Sequence, residues 1–238
     1  MTKVFPLGIA IAGIGKLVNH RDSETWGLSS FKTARKGARI SQFLLKKGVR
    51  VTPTIAIVRL NQFRDKKGEK VEVSDLIKDG VLNRRWKKPV AMIRAFRTPF
   101  RVRDLYEEKF KDLDPTKQRE LLDPILTRLN DELGIKLTTK EEYYDWFKQT
   151  YENQLKKMHE LGVVHGRITL NNLTLACEFT DFDDSWRIRG IPKRFKSKFA
   201  LRSDNKHTKE VIPEGDVMSV IDSLKEYLGI EEKPPQGG

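Results

Sequence analysis

Apolar positions along the chain change their period twice, and those changes divide it. Residues 4–14 form an apolar run broken by Gly8 and Gly13. After a polar interval, Phe31, Ala34, Ala38 and Leu45 recur at helical spacing. Ser29 or Ser30 precedes them as a cap and Gly48 stops the run, which predicts a helix over residues 31–47. The segments VRVTPTIAIVRLNQF and PVAMIRAF are short and rich in β-branched or apolar side chains. The first is followed by the polar turn RDKKGEK and the second closes at Pro99, so they read as antiparallel neighbouring strands. From Leu105 onward the period is helical. Leu122, Ile125, Leu126, Leu129 and Leu133 form one stripe, with Pro124 as the first residue of a helix capped by Asp123. Thr139 and Glu142 have capping-box spacing, and Tyr144, Phe147, Tyr151, Leu155 and Met158 line one face down to Gly162. The tail EEKPPQGG, residues 231–238, has the composition of a disordered segment.

With 238 residues and 38% apolar content the chain can bury a core, in one domain or one domain of two lobes. Lysine and arginine exceed the acids by 46 to 33, a net +13 that attracts phosphates, nucleic acid or an acidic protein surface. A single cysteine, Cys177, rules out an intramolecular disulfide and a cysteine-held zinc, and suits a reducing, cytoplasmic setting. The apolar start lacks a small-x-small cleavage site and falls far short of the ~20 residues of a membrane span, so neither export nor membrane insertion is expected.

The chemistry concentrates in VVHGRITLNNLTLACEFTDFDDSW, residues 163–186. A strand VVH, a polar loop and a second strand LTLACEF would make a hairpin with Asn172 and Asp181 at its mouth. An amide oxygen and a carboxylate there suit Mg²⁺, a hard cation that shares its remaining positions with water and phosphate. In protein kinases an asparagine stands seven residues after the catalytic-loop histidine, and an Asp-Phe-Gly aspartate follows further on. Here Asn172 is seven after His165, and Asp181 is followed by Phe182 and Asp183.

The segment VVHGRITLNNLTLACEFTDFDD resembles the catalytic segment of the selenoprotein O family, kinase-like proteins that transfer AMP from ATP onto protein hydroxyls. LLKKGVRVTPTIAIV is similar to that family's helix end and following strand, and MIRAFRTPFRVRDLYE to its paired-arginine segment. The resemblance implies an α+β, protein-kinase-like two-lobed fold. A small antiparallel-sheet N-lobe would occupy residues 1–103 and a shortened, mainly helical C-lobe residues 104–230. It also implies ATP and Mg²⁺ as cofactors, Asn172 and Asp181 as metal ligands, and Arg94 and Arg101 as phosphate contacts from the lobe opposite Asp181. His165 and Asn171 fall on catalytic-loop positions, Lys16 near the phosphate-binding lysine, and Glu24 near an acid after the first strand.

The chain also departs from the pattern. Arg167 stands two after the histidine, at the kinase aspartate's position, and Asn171 where the family carries an acid proposed as base. An amide takes up no proton near neutral pH, which removes general-base help worth about 10² to 10⁴ in rate. The predicted helix over residues 31–47 contains no acid to pair with a phosphate-binding lysine. Two readings therefore share the fold: an ATP- and Mg²⁺-dependent transferase of AMP, or of phosphate, onto a protein hydroxyl, and a catalytically impaired pseudokinase serving as nucleotide-binding scaffold or switch. A third is nucleic-acid binding. RIRGIPKRFKSKFALR, from Arg187 to Arg202, holds seven basic residues, no acid, and Phe195 and Phe199 between them. No RNA- or DNA-binding signature accompanies it, so a segment that docks a protein substrate or partner with an acidic surface, or a solvated loop, is the reading favoured over nucleic acid.

Overall fold

A computed structural model describes residues 8–12, 29–64, 69–79, 89–211 and 216–231. The fold is α+β, with small antiparallel sheets and a mainly helical second half. It divides into two compact units. One comprises Gly8–Phe96 together with Asp181–Ser185; the other comprises Arg97–Thr180 and the described residues from Trp186 onward. The boundary expected after residue 103 thus falls at Phe96, and five residues from the second half return to the first unit. Lys16, Glu24 and all but the first residue of the expected disordered tail lie outside the described residues.

The first unit is organised around strand β6, Pro89–Phe96. Strands β1 (Gly8–Ala12) and β2 (Ser29–Ser30) pair with it antiparallel along one edge, and β3 (Thr54–Arg59) along the other. A central position explains why PVAMIRAF is buried at seven of its eight residues instead of alternating. Helix α1, Phe31–Lys46, begins where the cap was expected: Ser30 Oγ accepts the Thr33 N–H at 3.1 Å. Its inner face differs from the expected stripe. Ala34, Gly37, Ile40, Ser41 and Leu44 are buried, while Phe31 and Leu45 are 49% and 42% exposed, because the small residues form the stripe along which α1 packs. Gln42 ties the helix to β3 through the Thr54 carbonyl at 3.2 Å. A two-stranded ribbon, β4 (Gln62–Arg64) with β5 (Lys70–Glu72), and the short helix α2 (Val73–Lys78) complete the unit.

The second unit contains α3 (Val102–Glu107), α4 (Pro115–Leu133) and α5 (Lys140–Glu160), then strands β7 (Val163–Val164) and β8 (Trp186–Arg187), and finally α6 (Lys193–Val211) and α7 (Ser219–Tyr227). Helix α4 starts nine residues earlier than expected. Asp114 caps it by accepting the Thr116 and Lys117 N–H groups, Pro115 takes the first turn, and Pro124 sits on its exposed side inside the helix. Helix α5 has the expected capping box of Thr139 and Glu142. Its buried face holds Tyr143 in place of Tyr144, with Phe147, Tyr151, Leu155, Met158 and His159. Both buried phenols find carbonyls, Tyr143 that of Leu175 at 2.7 Å and Tyr151 that of Val217. Burial pushes both well above the ordinary phenol value. Among the described residues no helix is long and apolar enough to cross a membrane.

Candidate functional site

The hairpin expected between VVH and LTLACEF does not form. Val163 and Val164 pair with Arg187 and Trp186, not with LTLACEF. LTLACEF itself folds back: Leu173 bridges Phe179, Thr174 N–H donates to the Glu178 carbonyl at 3.0 Å, and Cys177 turns the chain with a φ of 54°. Cys177 is buried, so it is a spacer in a turn and not in a strand. This tight loop sets Asn172 beside Thr180, whose N–H donates to the Asn172 carbonyl at 2.9 Å.

His165 is fully buried and fastens the same place from the other side. Its Nδ1 lies 3.4 Å from the Arg167 N–H, which leaves Nε2 to donate to the Thr180 carbonyl at 2.9 Å. That bond holds the residue preceding Asp181, so His165 is a positioning residue. The Asn172 side chain donates through Nδ2 to the Arg167 carbonyl at 2.9 Å, which fixes the amide and turns its carbonyl oxygen away from that bond. Asn171 is held twice: its main-chain carbonyl accepts Arg101 Nη1 at 2.6 Å and its Oδ1 accepts Arg103 Nη1 at 3.3 Å.

Asp204 on α6 carries the loop and went unnoticed in the sequence. It is fully buried. Its Oδ1 accepts the Gly166 N–H at 2.7 Å, and its Oδ2 accepts the His165 N–H at 3.1 Å and His159 Nε2 at 2.8 Å. One carboxylate thereby joins α5, α6 and the turn after β7, a turn that Gly166 completes with a φ of 88°. A signal existed: Asp204 is the lone acid between Asp184 and Glu210, inside a basic stretch. A second buried acid, Glu178, interrupts the apolar run LTLACEF and binds Arg97, Nη1 to Oε1 at 2.7 Å and main-chain N–H to Oε2 at 2.9 Å. Glu132 of α4 takes Arg97 Nε at 2.6 Å. Burial works against the Arg97 cation, but the two glutamates outweigh it and its pKa is raised. Arg97 is therefore engaged by two carboxylates at once.

In the first unit, Arg94 projects from the middle of β6 and is 7% exposed. Its Nη2 lies 3.1 Å from Asp181 Oδ1 and 3.9 Å from Asp183 Oδ1. Arg94 was expected opposite Asp181; the two form an ion pair within one unit, since residues 181–185 fold onto the sheet that carries Arg94. Arg101, its expected partner, belongs to the other unit. Asp181 takes a left-handed conformation, φ 62°, which aspartate tolerates better than most side chains. Beside it, Gly37 of α1 brings helix and segment together: a Cβ there would lie 3.2 Å from the Phe182 carbonyl and 3.1 Å from Asp183 Oδ1. No group of three or more His, Cys, Asp or Glu side chains suited to a metal occurs among the described residues. The chain matches no protein-family model, and no curated protein is significantly similar to it.

Proposed function

We propose that the chain is a kinase-like nucleotide-binding protein, similar in plan to the adenylyltransferases of the selenoprotein O family, in which transfer is impaired and nucleotide occupancy acts as a scaffold or switch. The observation that carries the reading is the Arg94–Asp181 pair, a buried guanidinium 3.1 Å from the carboxylate expected to hold metal. Asn172 and Asp181, which belong to different units, each carry a hard oxygen of the kind Mg²⁺ prefers. Yet Asp181 is already neutralised by a resident cation, and displacing that cation would leave a desolvated guanidinium beside a dication. These residues do not fit a tightly held Mg²⁺. The base position is occupied by Asn171, whose amide accepts Arg103, and α1 contributes no acid. What supports nucleotide binding is the retained frame around Asn172 and the basic surface expected to favour phosphates.

A slow transferase is the second reading, favoured by the His165–Thr180 bond that positions the segment leading to Asp181. Phosphoryl and nucleotidyl transfer rest mainly on positioning and charge neutralisation, so a missing base slows the reaction without abolishing it. Calorimetric titration of ATP and adenosine, each with and without Mg²⁺, separates these readings when joined to mass spectrometry of the protein. The scaffold reading expects ATP to bind more tightly than adenosine, with little gain from Mg²⁺ and no added mass. Mg²⁺-dependent addition of AMP or phosphate would replace it by the transferase, and equal, negligible binding of both ligands would remove the nucleotide site.

A further inference from the structure

We infer that the solvent-facing ridge of α6 is a binding site for single-stranded nucleic acid, separate from the nucleotide reading above. The basic stretch found in the sequence is a strand end followed by a helix, and the helix sorts its side chains. Ala200, Asp204 and Thr208 are buried, Ala200 with Val164 and Ile188, Asp204 on His159, and Thr208 near the Ile168 carbonyl. On the outer side Phe195, Phe199, Arg202, Lys206 and Lys209 are all exposed. Steps of four, three, four and three residues place them on one face as a single row, about 21 Å long at 1.5 Å per residue. Arg194, Lys198 and Leu201 flank it and are exposed as well.

Three features select the occupant. Phe195 and Phe199 are 50% and 47% exposed, one turn apart, a cost in water that a soluble helix offsets only by covering the rings. Arg194 lies over the Phe195 ring, its Cζ 4.8 Å from the centroid, a cation–π contact that orders the ring on a basic surface. The five cations Arg194, Lys198, Arg202, Lys206 and Lys209 have no ion pair among the described residues; of the two acids of the helix Asp204 is buried, and the exposed Glu210 stands at the far end of the row, beyond Lys209. A membrane surface would be met by apolar side chains spread along the helix; here they end at Leu201, and beyond it the exposed side chains are Arg202, Lys206 and Lys209, then Glu210. A row of cations one residue wide fits a linear polyanion, and exposed rings at one end of it fit unstacked bases, which every sequence of single strand presents. No Asn, Gln or acid stands on the row to read base edges, so binding would be indifferent to sequence.

Fluorescence anisotropy with a labelled oligouridylate tests this in the full chain. Wild type should bind with a steep inverse dependence on salt. Arg202→Gln/Lys206→Gln/Lys209→Gln should lower the slope of log affinity against log salt by about 2, from ~0.7 per phosphate contact on a single strand. Phe195→Ala/Phe199→Ala should keep that slope and lose about tenfold or more in affinity, the loss expected when bases no longer stack. All five positions are exposed, and circular dichroism of each variant is to match wild type. The salt slope of wild type and its comparison with duplex RNA, polyglutamate and vesicles need no variant. Unchanged affinity in the phenylalanine variant, equal affinity for duplex RNA of the same length, or tighter binding to polyglutamate or to phosphatidylserine vesicles than to the oligonucleotide would each overturn the assignment.

Discussion

Two of the cations beside the candidate chemistry of this protein are spent on carboxylates. Arg94 holds Asp181, and Arg97 is gripped by Glu178 and Glu132. Replacing Arg94 by methionine keeps the volume of its stem and removes its charge, freeing Asp181 for a metal. If the guanidinium is what excludes the dication, Arg94→Met should acquire Mg²⁺-dependent ATP binding in calorimetry; an affinity as indifferent to Mg²⁺ as that of wild type would acquit Arg94. The Glu178 pair is a matter of stability. Glu178→Gln should cost about 2–4 kcal/mol in urea denaturation, at or below the range for a broken buried pair because Arg97 is 23% exposed and retains Glu132. Glu132→Gln should cost less, since it leaves the two-point contact with Glu178 in place. None of these pairs was legible in the sequence. Arg94 lies 87 residues from Asp181, and Arg97 lies 81 from Glu178, so only the folded chain introduces them.

Local rules served better for the elements. Caps at Ser30 and Thr139 and the extent of β6 follow from residues within a few positions of each other, and the antiparallel pairing of β3 with β6 from the proximity of two apolar runs in the chain. Where two local rules competed, the stronger prevailed: an Asp114–Pro115 start overruled Asp123–Pro124, because an exposed proline inside α4 costs less than breaking a helix whose four leucine and isoleucine anchors are already buried. The β7 partner was misread because LTLACEF has the composition of a strand, while a left-handed Cys177 bends it into a turn. The start of α5 gives a pH-dependent prediction. The Glu142 carboxyl lies below its ordinary 4.5, chiefly through the Thr138 N–H and then its hydroxyl, with Thr139 adding to it. A depressed carboxylate contributes stability that is complete above pH 4.5 and is lost as pH falls through its folded value. Glu142→Gln should therefore flatten the acid limb of the stability curve below about pH 4.5 and leave its slope near neutrality unchanged; urea midpoints measured across that range decide it.

At the scale of the whole chain, the order of short strands followed by helices anticipated the α+β class, but not how the chain shares its residues between units. Asp204 illustrates why. Its three bonds join parts of the sequence as far apart as 45 residues, and only their convergence distinguishes it from a surface acid. Asp204→Asn turns one acceptor into a donor facing donors, and should lower stability by about 3 kcal/mol or more, seen as a shifted urea midpoint with unchanged slope. The five residues Asp181–Ser185 make the larger point. They belong to the unit of Gly8–Phe96, yet the chain enters them from Thr180 and leaves them at Trp186, both in the other unit. The units are thus interleaved along the gene rather than laid end to end. A fragment ending at Phe96 would lack the carboxylate that Arg94 holds, and a fragment beginning at Arg97 would carry that carboxylate away from its arginine. No single crossover or cut separates two self-sufficient modules, so the two halves can be inherited, transplanted or lost only together.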